Sequence, residues 1–171
     1  MSPNLPEVWL RGPVEGYAAE LQPVVHALQQ AVEDVEAAAA DLTPAQIWTT
    51  PGGAASVGFH AKHLAGALDR LFTYARDEGL SAAQKTVLAT EGEPGTPPAT
   101  AADLLADLRA GVDAALAQLR RTSVADLALA RGVGRARLPT TVLGLLFHAA
   151  EHSTRHAGQL ITTAKIVRAS A

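Results

Sequence analysis

The chain has 171 residues and a mass of 17.7 kDa; it is 48% apolar but only 4% aromatic, and 36 of its residues are alanine. Fourteen Lys+Arg against seventeen Asp+Glu leave a formal charge of −3, which supplies no electrostatic footprint for nucleic acid or an anionic membrane. The lack of cysteine excludes disulfides, a thiolate nucleophile, a Cys-ligated zinc site and an iron–sulfur cluster.

This length suits one domain over residues 1–171. The alanine content favours closely packed helices over a sheet, since alanine is the best helix former and a poor strand residue. The opening MSPNLPEVWLRGP has no basic cluster ahead of an apolar run, so no signal peptide is expected. The most apolar stretch near the C-terminus, VLGLLFHAA at 142–150, falls well short of the roughly 20 residues that span a bilayer. The expectation is a cytoplasmic protein with no membrane and no nucleic-acid partner.

The first periodic segment runs from Val14 to Ala40, with Leu21, Val24, Val25, Leu28, Val32 and Val35 at helical spacing. Pro23 inside it marks either a kink or a later helix start. A short turn follows, where Thr43, Pro44 and Gln46 form a capping-box pattern, before TTPGGAAS breaks the chain. The second long helix is expected over Ser56–Glu78, one face carrying Val57, His60, Leu64, Ala67, Leu68, Leu71 and Ala75, with Gly79 ending it. Ser81 and Gln84 predict another short helix, and EGEPGTPPAT at 91–100 reads as a loop. The third long helix, Thr100–Arg121, opens on Thr100 and Asp103 and ends on Arg120 and Arg121, where the helix dipole favours positive charge. Ser123 and Asp126 predict one more turn. RGVGRAR, at 131–137, then reads as a solvated turn, and Pro139, Thr140 and Thr141 introduce a last helix reaching Arg168. Four long helices predict an all-α four-helix bundle with additional short helices, because each apolar stripe must be covered by another.

Five of the six histidines fall in two clusters: His60 and His63 in GFHAKHL, and His148, His152 and His156 in FHAAEHSTRHAGQL. On a helix, His152 and His156 lie about 40° apart around the axis, so both rings can face one point. His148 continues the ridge but lies about 80° from His156, which makes it a pocket residue before a ligand. Two neutral imidazoles from the last helix and a third from the second helix suit a divalent transition metal and leave a position for water or substrate. His63 is the first choice for the third ligand and His60 the alternative. The helical period does not separate them, since His60 matches the Leu64–Leu71 stripe at least as well. The solitary His26 reads as an ordinary structural histidine.

These landmarks resemble the DinB-like (DinB/YfiT-like) metal-binding four-helix-bundle superfamily. The resemblance covers nearly the whole chain: the long first helix, then DLTPAQIWTTPGGAASVGFHAKHLAGALDRL, and finally LLFHAAEHSTRHAGQL. In that family one histidine of the second bundle helix joins two histidines, four residues apart, on the fourth. The resemblance therefore implies His63, His152 and His156 as metal ligands and resolves the His60/His63 alternative in favour of His63. It implies zinc or nickel as the metal, and dimers occur in the family, so a homodimer is expected. For activity it implies a thiol-dependent S-transferase using a low-molecular-weight thiol, with a metal-dependent hydrolase, or a non-catalytic metal- or small-molecule-binding protein, as alternatives. The family's damage-inducible name carries no claim of DNA repair.

Other residues read more plainly. Glu151, about 100° around the helix from His152, is expected on a solvated face. Asp69 and Arg70 are expected in a salt-bridged outer face, Arg155 in surface packing or an ion pair, and Trp48 in packing the entrance loop against the bundle. Neither glycine-containing stretch, TTPGGAAS nor RGVGRAR, contains a phosphate-loop pattern.

Overall fold

Each long amphipathic segment forms a helix whose apolar stripe is covered by two neighbours. The structure, a computed structural model, describes residues 5–170. Four long helices carry the architecture: α1 (Gln22–Ala39), α3 (Val57–Ala75), α5 (Ala101–Arg121) and α6 (Val142–Ala169). Short helices α2 (Pro44–Trp48) and α4 (Ala82–Thr90) lie between them. Helix α6 packs between α1 and α3, and α5 closes the ring against the same pair. Leu28, Leu64, Leu108, Leu146 and Leu160 fill the centre with almost no exposure. Burying a side chain of this size contributes about 1.5–3 kcal/mol. Buried Ala31, Ala61, Ala115, Ala149, Ala157 and Ala164 let the helices approach closely.

The helix ends follow local chemistry. Thr43 with Gln46, Ser81 with Gln84, and Thr100 with Asp103 form complete capping boxes at the starts of α2, α4 and α5. Ser56 caps α3 by accepting from the Phe59 amide. Helix α1 starts later than the periodicity from Val14 suggests. Pro23 sits in its first turn, because proline has no amide hydrogen to offer a preceding turn. Gly16, at φ 86°, bends the chain ahead of it. The Gln22 side chain ties that bend to the helix through Val14 and Tyr17. Helix α3 ends before Gly79: Asp77 takes the left-handed conformation, at φ 61°, as short polar side chains tolerate.

The region expected as a solvated turn is a small antiparallel hairpin. Strand β1 (Ala130–Val133) pairs with β2 (Leu138–Thr141), Ala130 opposite Thr141 and Val133 opposite Leu138. Pro139 therefore lies in a strand and does not introduce the last helix. Thr141 caps α6 instead, accepting from the Gly144 amide. These four-residue strands have no sustained apolar alternation, so the period carried no signal. Arg131 anchors the hairpin by donating to the Ala75 carbonyl at the end of α3. The fold is all-α apart from this hairpin. No helix among the described residues is long and apolar enough to cross a membrane.

Candidate metal centre

Helices α3 and α6 lie side by side, which brings histidines 89 and 96 positions apart in sequence into contact. His63 Nε2 lies 2.9 Å from His152 Nε2, and His60 Nδ1 lies 3.0 Å from His156 Nδ1. The His63 ring centre is 4.5 Å from that of His156, and the His152 and His156 rings are 4.4 Å apart. One nitrogen from each of His63, His152 and His156 lies within 4.8 Å of the other two. Turn spacing on α6 and the facing position on α3 thus converge three imidazoles on one point.

The surroundings disfavour charge on the His152 and His156 rings. Burial, followed by the neighbouring His63, pushes His152 down to about 4. Burial, and then His152, likewise takes His156 to about 4. His60, only 6% exposed, is also pushed down by burial and next by His63. Neutral imidazole is the form that ligates a metal. Phe59 stacks almost parallel to His63, at 5.4 Å and 14°, and shields one ring face. His152 Nδ1 is buried with no hydrogen-bond partner among the described residues. A buried polar atom left unpaired costs about 1–3 kcal/mol. The donor set and this orphaned nitrogen fit a metal-binding protein.

Behind His63 lies a residue that sequence periodicity did not single out. Glu91, 3% exposed, accepts from His63 Nδ1 at 2.7 Å through one oxygen and from Arg70 at 2.6 Å through the other. Arg70 is itself buried, at 8% exposure, so its expected outer-face position is corrected. Gly66, between His63 and Arg70 on α3, makes the room: a Cβ there would stand 2.5 Å from Glu91 Oε1 and 2.8 Å from Arg70 Nη1. Glu91 opens a Pro/Gly loop in the sequence, and only the return of the chain over α3 reveals its position.

The other candidates separate from the cluster. His148 is half exposed at the rim, its ring 5.3 Å from that of His152, and bonds Glu151 at 2.6 Å. Glu151 also bonds Arg155 at 2.5 Å, and this guanidinium holds its carboxyl below the usual range. Asp69 accepts from Gln84 of α4. His26 faces the Gly12 carbonyl at 3.1 Å. Trp48 packs over Gly58 and donates to the Ala99 carbonyl. A cavity of about 510 Å³ opens beside His60, lined also by Ala54, Arg155, Gln159, Thr163 and Ile166. A larger apolar cavity, about 580 Å³, lies by Trp9 and His26 against α1, and none of the clustered histidines lines it.

Comparison with curated proteins finds no match. The family model of the DinB superfamily matches residues 12–160, a span containing the clustered histidines, Arg70 and Glu91. An all-α bundle that joins its second and fourth long helices through histidines, matched over most of its length, places the chain in that family: it belongs to the DinB superfamily.

Proposed function

We propose that the chain is a divalent-metal-dependent enzyme in which His63, His152 and His156 hold zinc or nickel, and that its reaction is a thiol-dependent transfer involving a small-molecule substrate. The convergence of these three rings, with one nitrogen of each within 4.8 Å of the other two, carries the reading. A metal in such a site supplies Lewis acidity that lowers the pKa of a thiol or water in its open position.

The protein's own groups supply the rest. Burial keeps the His152 and His156 rings neutral for ligation. Phe59 shields the His63 ring from water. The cavity beside His60, which reaches the cluster through His60 and is lined by none of the three proposed ligands, offers space for the substrate, with Arg155 at its edge. The carboxylates on either side of the cluster, Glu91 and Glu151, are both bonded to arginines. Neither stands free to take a proton from water, which favours thiol transfer over hydrolysis. Because the chain has no cysteine, the thiol is an external, low-molecular-weight one. A cytoplasmic location keeps such a thiol reduced.

The chain, residues 1–171, is one domain that associates as a homodimer. Leu143 and Phe147, one turn apart on α6 and 43% and 64% exposed, support a shared apolar face. Metal analysis of purified protein tests the site: roughly one zinc or nickel per chain is expected, with sharp loss in His63→Ala, His152→Ala and His156→Ala. Undiminished occupancy in His152→Ala refutes the ligand assignment. A screen of thiols with electrophilic acceptors, beside esters and amides, tests the reaction. Metal-dependent turnover of esters or amides alone would move the reading to hydrolysis, and bound metal without turnover would move it to a binding protein.

A further inference from the structure

We propose that Glu91 is the positioning residue of the three-histidine centre: anchored by Arg70, it fixes the His63 ring so that Nε2 presents its lone pair toward His152 and His156. This rests on the metal reading above. A carboxylate oxygen only accepts, so the His63 Nδ1 at 2.7 Å is the donor. A neutral imidazole carries one ring proton, which leaves Nε2 bare. That nitrogen faces His152 Nε2 at 2.9 Å, inside the cluster. Arg70 occupies the other carboxylate oxygen and stops the group from turning away.

The placement of Glu91 is not a by-product of packing. Helix α4, which delivers it, buries none of its own residues. Polar contacts hold α4 to α3: Gln84 donates to Asp69 and Thr73, and Lys62 donates to the carbonyls of Thr90 and Glu93. Into this contact the chain inserts a charged side chain at 3% exposure, which is costly unless the charge is paired and hydrogen-bonded. Gly66 leaves the space the pair occupies. A plain ion pair stapling α4 to α3 would need Arg70 alone. The second oxygen, aimed at His63, is the part that stapling leaves unexplained. A carboxylate behind a ligating histidine orients the ring and raises its basicity.

Two readouts on wild type and Glu91→Gln test the proposal: zinc affinity by competition with a chromophoric chelator, and the His63 tautomer in metal-free protein by long-range nitrogen–proton NMR. The amide of Glu91→Gln turns its oxygen to Arg70 and its NH₂ to His63 Nδ1, so the ring proton moves to Nε2. The expected result is that reversal together with about 10- to 100-fold weaker zinc binding. The double variant Arg70→Met/Glu91→Leu removes both charges, so no unpaired cation stays buried. If Glu91→Gln does not fold, the double variant should still bind zinc at least about tenfold more weakly. Zinc binding within about threefold of wild type in the folded variants overturns the proposal while leaving the metal reading intact. Weaker binding with an unchanged tautomer in Glu91→Gln also overturns it, because that is the mark of a structural pair. Wild-type protein that binds no zinc removes the metal reading and this inference with it.

Discussion

Gly66 and Gly158 offer one substitution with two opposite outcomes. Both lie inside long helices, where replacing glycine by alanine gains about 0.5–1 kcal/mol from backbone entropy and helix propensity. At Gly158 on α6 nothing lies within 4 Å of the added Cβ, so that gain should appear undiminished. At Gly66 the Cβ would stand 2.5 Å from Glu91 Oε1 and 2.8 Å from Arg70 Nη1. Both atoms belong to long side chains, but they are buried and bonded to each other at 2.6 Å, so neither moves without loosening the pair. Removing one partner of a buried pair costs about 3–5 kcal/mol. A methyl group displaces the pair without deleting a charge, so we take about half of that, roughly 2 kcal/mol. Set against the helix gain, Gly66→Ala should destabilise by about 1–1.5 kcal/mol. For a chain of this size that lowers the melting temperature by about 2–6 °C, while Gly158→Ala raises it by about 1–4 °C. Urea unfolding of metal-free protein, with wild type alongside, measures both. Equal stabilisation by the two substitutions would refute the claim that Gly66 exists to make room for the pair.

Further outcomes can be checked directly. In metal-free protein His152 and His156 titrate near 4 when folded and near the ordinary 6.5 when unfolded, so the unfolded chain binds more protons between those values. Stability should therefore be full above about pH 6.5 and decline as the pH falls toward about 4, and a flat profile across that window in chemical denaturation would contradict it. Zinc at about 100 times its dissociation constant should add about 2.7 kcal/mol of stability, reversed by a chelator and absent in His156→Ala. His26→Ala, which loses a hydrogen bond to the Gly12 carbonyl away from the clustered histidines, should keep its metal. Light scattering over a range of concentrations should give a mass near twice 17.7 kDa, falling to that of a monomer in Leu143→Lys/Phe147→Lys. A persistent wild-type monomer would exclude the homodimer.

Local patterns in the sequence determine the helices and half of the histidine cluster. Apolar residues at helical spacing, and capping pairs such as Thr43/Gln46 and Thr100/Asp103, place helices because those interactions act within a turn or two. The same range aligns His152 with His156. Pro23 announced a later start for α1 as one of two alternatives, and the structure takes that one. Across the bundle, periodicity lost its hold. His60 fits the α3 stripe at least as well as His63, and only the packing of α3 on α6 shows His63 against His152 and His60 against His156. The hairpin at 130–141 was illegible because its strands are too short to show a period and are held by contacts such as Arg131 to Ala75. Arg70 looked like a surface charge and Glu91 like part of a polar loop, since neither lies in a pattern that marks burial. Their partners are 21 and 28 residues away. A buried charge is tolerated only where another group arrives to meet it, and that meeting is a property of the folded chain.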